Sequence, residues 1–419
     1  MRRLSFALVA LALAAASCSS SNSDTTDANA TGTTVDIAAV LGTPNPATGS
    51  PVTLGFINEG GSEAIGSQAE LVARGAQIAV DYANDYLGGL GGHKIELFVC
   101  GNQSTPAGGT DCANQMVEKK VVAVTHPYTG QGAAQVPVVT SAGIPYVTLS
   151  GASSDELTTA GVFALTGGYP VTLAAFAAHA KEQGTKQFNL IVTDVPAATQ
   201  GATAIGGIVF KNAGVDYEVT PVTPGTPDIT PQLQAAIDGG ADALGFTGDV
   251  TFCTTFLQAY QTLGLSVPKY VLSTCNEKSL IDSLGSVLAG SFEAVTSGVS
   301  GNEPAQYAAM TAKYNEGDAI DPDPNLSAGI AAGLSTVIDL LNGTKNIGTD
   351  VTAATVLAAI KASTNVPLFL SGGLTFTCDG KAVPILPNVC SAEIQLGTVD
   401  ATGQVSDLQK IDTTPLFKM

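Results

Sequence analysis

Residues 187–219 read QFNLIVTDVPAATQGATAIGGIVFKNAGVDYEV and carry the clearest sign of the fold class. It begins with an apolar run at 188–193, continues with an Ala- and Gly-rich segment at 199–213, and closes with a second apolar run at 215–219. Short apolar runs on either side of a segment of helical length are typical of a strand–helix–strand unit with parallel strands. This stretch therefore predicts an α/β fold.

The same alternation extends along the chain in both directions. Further strand-like runs lie at 52–57, 94–99, 121–125, 146–149, 243–247 and 269–273. Helical patterns lie at 67–86, 110–120, 171–183, 229–238, 251–263, 277–289, 304–316, 326–342 and 351–362. Two series of strand–helix units in 419 residues predict two α/β lobes, and the late return of helices predicts a chain that crosses between the lobes more than once.

The first 17 residues have the features of an export signal peptide. Arg2 and Arg3 precede an apolar segment at 4–16, which is shorter than the roughly 20 residues that span a bilayer. The following Ala15-Ala16-Ser17-Cys18 resembles a bacterial lipobox, with Ala15 at a position where Leu is usual. This resemblance implies cleavage before Cys18 and lipidation of Cys18, so that the protein is anchored to the outer face of the cytoplasmic membrane. The alternative is an ordinary secreted protein with an unrelated Cys near its start.

The composition excludes several classes of protein. Residues 18–50 are rich in Ser, Thr, Asn, Asp, Ala and Gly and predict a flexible tether. The chain has 36 acidic against 17 basic residues, a net charge of −19, and so large a negative charge argues against nucleic-acid binding. With 45% hydrophobic and 13% charged residues, the chain is too apolar to be disordered.

Six cysteines follow Cys18, and they predict disulfides because exported proteins fold in an oxidising compartment. Six cysteines allow about 15 connectivities. We favour pairing between sequence neighbours, with separations of 12, 22 and 12 residues: Cys100 with Cys112, Cys253 with Cys275, and Cys378 with Cys390. The chain has no close Cys pair with a neighbouring His, so we predict no metal site.

The motifs of common enzyme classes are absent from the sequence. It contains no H-E-x-x-H, no G-x-S-x-G and no P-loop, and the Gly-rich segment 88–92 precedes a strand where a dinucleotide loop would follow one. His93, His126 and His179 have no partner pattern, and we favour a structural role for His126 over contact with a ligand. We therefore expect a protein that is not an enzyme and holds no cofactor.

Three ordered stretches resemble a known family. VVAVTHPYTG at 121–130, AGIPYVTLS at 142–150 and SSDEL at 153–157 resemble the N-lobe of type I periplasmic binding proteins, most closely the branched-chain amino acid group. FTCDGKAVPILPNVCSAEIQLGTVD at 376–400 is similar to the C-terminal segment of actinobacterial members. The resemblance covers about residues 51–415.

This resemblance implies an architecture and a role. Two Rossmann-like lobes would be joined by a three-strand hinge, with crossovers near 165–169, 297–302 and 364–370. The N-lobe would comprise 51–166 and 300–366, and the C-lobe 167–299 and 367–415. The role implied is that of a solute-binding subunit of an ABC importer, which captures a small amino-acid-like solute between the lobes and delivers it to a permease and ATPase complex.

In the family, two N-lobe loops contact the carboxylate and ammonium groups of the ligand. The matching positions are Tyr128 and Thr129 after the third strand, and Ser150, Ala152 and Ser153 after the fourth. Asn58 and Glu59 end the first strand and are predicted to line the same cleft. The alternative is that these Ser and Thr residues only cap helices.

The C-lobe departs from the family pattern. Ala198 stands where a Tyr is common, and Thr274 and its neighbours stand where an acidic residue usually receives the ammonium group. Asp194 or Asp249 could replace that residue, and Gln200 and Thr274 complete the predicted ligand set. An amide or a small organic acid therefore fits as well as an amino acid. A sensory ectodomain and an exported hydrolase are the alternatives of a different class.

Overall fold

The structure is a computed structural model that describes residues 37–62, 66–296, 298, 303–314, 320–321 and 327–418, except the side chains of Ser67, Pro196 and Ala197. The predicted signal peptide, the predicted lipidation site Cys18 and most of the predicted tether lie outside these residues. The second predicted crossover, 297–302, also lies outside them apart from Gly298.

The first lobe, as we define it, is built around a five-stranded sheet. Its strands are β1 (Gly49–Asn58), β2 (His93–Gly101), β3 (Val124–His126), β4 (Tyr146–Thr148) and β5 (Val162–Ala164). They lie in the order β2-β1-β3-β4-β5, and every neighbouring pair is parallel. The last five residues of β1 are all buried, as expected for a parallel sheet covered on both faces.

The second lobe is built around a seven-stranded sheet. The remaining strands of the chain are β6 (Gln187–Thr193), β7 (Asp216–Val222), β8 (Ala243–Thr247), β9 (Lys269–Val271), β10 (Phe292–Val295), β11 (Val366–Pro367), β12 (Thr375–Phe376), β13 (Glu393–Val399) and β14 (Val405–Asp412). The sheet order is β14-β13-β10-β9-β8-β6-β7, and β11 pairs separately with β12. The pairs among β6 to β10 are parallel, whereas β13 and β14 are antiparallel to their neighbours.

Helices cover both sheets. Their bounds are α1 (Ile37–Leu41), α2 (Gly66–Tyr82), α3 (Pro106–Glu118), α4 (Gly132–Ser141), α5 (Ser154–Thr158), α6 (Gly168–Glu182), α7 (Pro196–Gly201), α8 (Gly207–Ala213), α9 (Thr230–Asp238), α10 (Val250–Thr262), α11 (Lys278–Leu288), α12 (Glu303–Lys313), α13 (Ala328–Gly343) and α14 (Ala353–Lys361). π-helical turns at Ala83–Leu87 and Ala202–Gly206 extend α2 and join α7 to α8. Short 3₁₀ turns lie at Ser273–Asn276 and Thr414–Phe417. Among the described helices, none has both the length and the apolar character needed to cross a membrane.

Glycine allows the closest helix packing in the first lobe. A Cβ atom at Gly75 of α2 would overlap the backbone of Ile330, and one at Gly333 of α13 would overlap the backbone of Val72. The two helices therefore approach each other backbone to backbone, which only residues without a side chain permit.

The tether was predicted to run to residue 50, but the folded body already begins at residue 37. Its residues 37–41 form α1, and Leu41 is buried in the apolar core of the first lobe. The backbone N–H of Asn45 donates to the carbonyl of Asp85, and β1 begins at Gly49, before the predicted domain start at 51. The apolar side chains of Ile37 and Val40 pack on the same core, which is why this segment is ordered.

The chain passes between the lobes at 165–167, between β10 and α12, and between β12 and β13. The prediction assigned residues from 367 onward to the second lobe, with a crossover near 364–370. Instead, Leu368, Leu370 and Leu374 pack in the apolar core of the first lobe, whereas Val383 and Val389 pack in that of the second. The third passage therefore comes later than predicted, because these leucines complete the first core.

All three predicted disulfides are present. They join Cys100 to Cys112, Cys253 to Cys275 and Cys378 to Cys390. The first ties the end of β2 to α3, the second ties α10 to the 3₁₀ turn after β9, and the third brackets the passage between β12 and β13. The prediction of pairing between sequence neighbours is confirmed.

Candidate functional site

A cavity of about 260 Å³ lies where strands of both sheets end. The first lobe contributes Ser150, which follows β4. The second contributes residues at the ends of β9 and β10 and in the first turn of α6. The lining consists of Ser150, Gly168, Tyr169, Thr172, Leu272, Ser273, Thr274, Ala294, Val295 and Thr296. Parallel α/β sheets bind ligands beyond the carboxyl ends of their strands, so this cavity is the candidate site.

The cavity is uncharged and rich in hydroxyl groups. Six of its ten lining residues carry a hydroxyl, namely Ser150, Tyr169, Thr172, Ser273, Thr274 and Thr296. Several of these hydroxyls already donate within the protein: Thr172 Oγ1 to the carbonyl of Gly168 at 3.2 Å, and Thr274 Oγ1 to the carbonyl of Gly248 at 2.9 Å. Their oxygens remain hydrogen-bond acceptors.

Tyr169 supplies the aromatic side chain of the cavity. Its hydroxyl donates to Thr247 Oγ1 at 3.4 Å, and its ring packs on Gly201 of α7. Burial raises the pKa of Tyr169 to about 12, so the hydroxyl is protonated at neutral pH. By the resemblance, Ala198 stands where a Tyr is common, and here an aromatic ring reaches the cavity from the start of α6 instead.

Thr129 is held by the chain's own side chains. Its hydroxyl donates to Glu59 Oε1 at 2.7 Å, and the N–H of Gly130 donates to the same oxygen at 3.3 Å. The Thr129 oxygen accepts from Asn102 Nδ2 at 3.3 Å and from the N–H of Gln131 at 3.0 Å. Glu59 thus ties the loop after β1 to the loop after β3, which are neighbours because β1 and β3 are adjacent strands.

Ser153 is the N-cap of α5. Its hydroxyl accepts from the N–H of Glu156, and Glu156 Oε2 in turn accepts from the N–H groups of Ala152 at 3.1 Å and Ser153 at 2.9 Å. The Ser153 hydroxyl also donates to that oxygen at 2.9 Å. This capping box is the alternative that we considered for this residue.

The remaining predicted ligand residues lie outside the described cavity lining. Asn58 is buried, and its side chain holds the carbonyl of Ala69 and the N–H of Gly60. Asp249 is the N-cap of α10 and accepts from the N–H of Phe252 at 2.8 Å. Tyr128, Asp194 and Gln200 are exposed in loops or helices that follow β3 and β6. Of the predicted set, only Ser150 and Thr274 line the cavity.

His126 lies beneath the first-lobe loops and is fully buried. Its Nε2 is 4.0 Å from Glu156 Oε1, and its ring meets that of Tyr146 edge-on with centroids 4.9 Å apart. Burial lowers the pKa of His126, although the neighbouring Glu156 opposes this shift. His126 is therefore a neutral residue of the interior, as the sequence analysis favoured.

Sequence reasoning missed most of the second-lobe lining. Ser273 and Thr296 could have been found by the rule that ligands bind after strands, because they follow β9 and β10. Gly168, Tyr169 and Thr172 do not follow a strand of the second sheet, so this rule could not find them. They line the cavity because α6 begins directly after the chain passes from the first lobe to the second. Across the described residues, no group of three or more His, Cys, Asp or Glu side chains is suited to hold a metal ion.

The chain belongs to the periplasmic binding protein family, whose model matches residues 51–401. Its fold is that of the type I members, with two lobes built on largely parallel sheets. No curated protein sequence matches this chain. The family consists of solute-binding proteins that work outside the cytoplasm.

Solved structures with the same fold bind diverse ligands. The branched-chain amino acid transporter substrate-binding protein LivJ from Streptococcus pneumoniae, in complex with isoleucine, is 18% identical, with 86% of this chain and 99% of that chain covered and a TM-score of 0.65. A fatty acid ABC transporter substrate-binding protein from Thermomonospora curvata is 13% identical, with 89% and 96% covered and a TM-score of 0.68. An ABC transporter solute-binding protein from Rhodopseudomonas palustris, in complex with 3,4-dihydroxybenzoic acid, is 16% identical, with 87% and 98% covered and a TM-score of 0.65.

Proposed function

We propose that this protein is the extracytoplasmic solute-binding subunit of an ABC importer and captures a small amino-acid-like solute by closure of its two lobes. The observation that carries the proposal is the cavity at the carboxyl ends of strands from both sheets, with Ser150 on one side and Thr274 on the other. A solute that contacts both lobes is bound most tightly when the lobes close, and the closed form is what a permease can recognise.

The N-terminal sequence supports a position at the outer face of the cytoplasmic membrane. In this proposal Cys18 carries the lipid, and residues up to 36 tether the folded body to the outer face of the cytoplasmic membrane. A permease and ATPase complex in the same membrane would then receive the solute. Membership of the actinobacterial subgroup stays a prediction from the segment 376–400.

An amide is an alternative solute for the same kind of binding protein, and the hydrogen bonds of the first-lobe loops favour it. In the family, N-lobe donors receive the ligand carboxylate, but here Thr129 donates to Glu59 and Ser153 donates to Glu156.

A binding role also agrees better with the lining than hydrolysis does, because the ten lining residues include no His, Asp or Glu that could act as a base.

A thermal shift screen tests the proposal. We expect one or a few compounds from a panel of amino acids, amino acid amides and small organic acids to raise the melting temperature, since ligand at 100 times its dissociation constant adds about 2.7 kcal/mol. Replacing Thr274 with Val should weaken that shift, and Thr262→Val, in the exposed end of α10, is the matched control. A broad panel without any shift would overturn the proposed role.

A further inference from the structure

Glu59 occupies the donors that a ligand carboxylate would need at the first lobe. The one hydroxyl proton of Thr129 goes to Glu59 Oε1, and the N–H of Gly130 points to the same oxygen. The two remaining contacts of the Thr129 oxygen are taken by Asn102 and Gln131. A hydroxyl group has one proton and two lone pairs, so Thr129 is saturated.

The loop after β4 is occupied in the same way. Glu156 is fully buried, and its Oε2 receives the N–H groups of Ala152 and Ser153 together with the Ser153 hydroxyl. Both first-lobe loops therefore already hold a carboxylate that belongs to the protein. A carboxylate from a solute would find few free donors there and would face two negative charges.

The second oxygen of Glu59 has no such partner. The residue is more than nine-tenths buried, with 8% of its surface exposed, and Oε2 makes no hydrogen bond to any described residue. A poorly hydrated carboxylate oxygen without a donor is costly, and a cationic donor satisfies it best. The free oxygen therefore calls for a protonated group from outside the described chain.

The surrounding loops carry charges of one sign. The described loops that follow β1 to β10 contain no Lys or Arg, whereas they contain five carboxylates: Glu59, Asp194, Asp228, Asp249 and Glu277. A cleft edge with acidic groups alone attracts cations and repels anions. Three of the six cavity hydroxyls, those of Tyr169, Thr172 and Thr274, donate to protein acceptors, and their oxygens are left to accept from a solute.

We propose that Glu59 receives a protonated nitrogen of the solute, and that the cleft takes a cationic solute while it rejects a carboxylate at the first-lobe loops. The inference rests on the proposed function, since it names the class of solute for the same cleft. Lobe closure brings the nitrogen to Glu59, and Thr129 and Gly130 hold the carboxylate in position for it.

A matched ligand set tests the class of solute. Leucine, leucinamide, isoamylamine and 4-methylpentanoate share one side chain and differ only in the ammonium and carboxylate groups, and the same four forms exist for alanine and phenylalanine. We expect the amide or the amine of at least one set to raise the melting temperature, the acid to give no shift, and the amino acid to bind at least tenfold more weakly than its amide.

The outcomes separate this inference from the proposed function. If acids or amino acids bind as tightly as the amides or more tightly, the cationic class is wrong and the importer role stands. If no compound of any class produces a shift, the proposed function falls and this inference with it.

Substitution of Glu59 locates the selectivity. Glu59→Gln keeps an oxygen for Thr129 but removes the charge, so affinity for the cation should fall at least tenfold and discrimination against the acid should shrink. Glu59→Asp keeps the charge and should retain the preference for cations. Glu118→Gln, an exposed carboxylate at the end of α3, is the control and should behave as the unmodified protein. Unchanged selectivity in a folded Glu59→Gln variant would overturn the proposal.

Discussion

The two lobes contribute different kinds of side chain to the cleft. The first-lobe edge consists of loops tied down by buried carboxylates, with Glu59 bonded to Thr129 and Glu156 bonded to Ser153. The second-lobe part of the cavity lining consists of uncharged hydroxyl and apolar side chains, and its 3₁₀ turn is joined to α10 by the Cys253–Cys275 disulfide. The first-lobe loops hold buried charge, whereas the second-lobe lining of the cavity is an uncharged wall.

This difference assigns separate tasks to the two lobes. Buried carboxylates act strongly on charged groups, because a poorly hydrated environment screens them little. Uncharged hydroxyl groups recognise hydrogen-bonding geometry and do not repel either sign of charge. We therefore expect substitutions at the first edge to change which solutes bind, and substitutions at the second edge to change how tightly they are held.

The largest expected effect is on the pH dependence of the free energy of unfolding, and it comes from a carboxyl group of the second lobe outside the cavity lining. Glu293 on β10 is buried, and burial raises its pKa to about 8, although a hydrogen bond from Asn276 Nδ2 at 2.6 Å opposes the shift. Because the folded pKa lies above the unfolded value, this group stabilises the fold fully at low pH. That stability is lost as the pH rises from about 4.5 to about 8.

The substitution Glu293→Gln should remove the loss of stability that the ionisation of Glu293 causes. Between pH 5 and 8 we expect the free energy of unfolding of the unmodified protein to fall by up to about 4 kcal/mol more than that of the variant. Burial also raises the pKa of Asp339, so the variant keeps the part of the decline that this second carboxyl contributes. Urea unfolding across this pH range measures the effect. The control Glu277→Gln alters an exposed carboxylate before α11 and should follow the unmodified protein. An equal decline in the Glu293→Gln variant would show that another group titrates.

The Cys253–Cys275 disulfide should matter to the cavity wall as well as to stability. Replacing both cysteines with Ala should lower the free energy of unfolding by about 3 kcal/mol in the chain-entropy model and loosen residues 272–276. The double variant of Cys100 and Cys112 is the matched control, because it removes a clip of the first lobe. Amide hydrogen exchange should rise at 272–276 only in the first variant. Equal protection of this turn in both variants contradicts a role for the disulfide in the wall.

The smallest effect concerns the aromatic residue of the cavity. Tyr169→Phe removes the hydrogen bond to Thr247 and should lower the free energy of unfolding by about 1 kcal/mol, which urea unfolding can measure. Tyr82→Phe in α2 of the other lobe is the control for a tyrosine outside the cleft. If the solute accepts or donates at this hydroxyl, its thermal shift falls in the first variant only. A shift and a stability equal to those of the unmodified protein would leave Tyr169 as apolar lining alone.

Much of the fold could be predicted because it depends on local pattern. The strand–helix alternation predicts the order of most elements, and α12, α13 and α14 lie within about three residues of the predicted helices. Helices α4 and α5 were not predicted, because α4 contains Pro137 and α5 is only five residues long. Short or Pro-containing helices have too little periodicity to be recognised.

The site could be predicted less completely than the fold. The loops after the strands were found, and Ser150 and Thr274 do line the cavity. The roles of Thr129 and Ser153 could not be read from their positions, because what they bond decides whether they are free for a ligand. The sequence pattern from Ser153 to Glu156 indicates a capping box, but nothing local links Thr129 to Glu59, which lies 70 residues earlier.

The α/β class and the two series of strand–helix units could be predicted from the sequence alone, and the short separations of the six cysteines favoured neighbour pairing among about 15 possibilities. These follow from periodicity and from short separations along the chain, where each residue constrains its neighbours. The folded structure was needed to locate the third passage between the lobes, to place Tyr169 in the cavity and to show that Glu59 holds the loop after β3. Those features depend on contacts between residues far apart in sequence, and such contacts exist only after the strands have been ordered in their sheets.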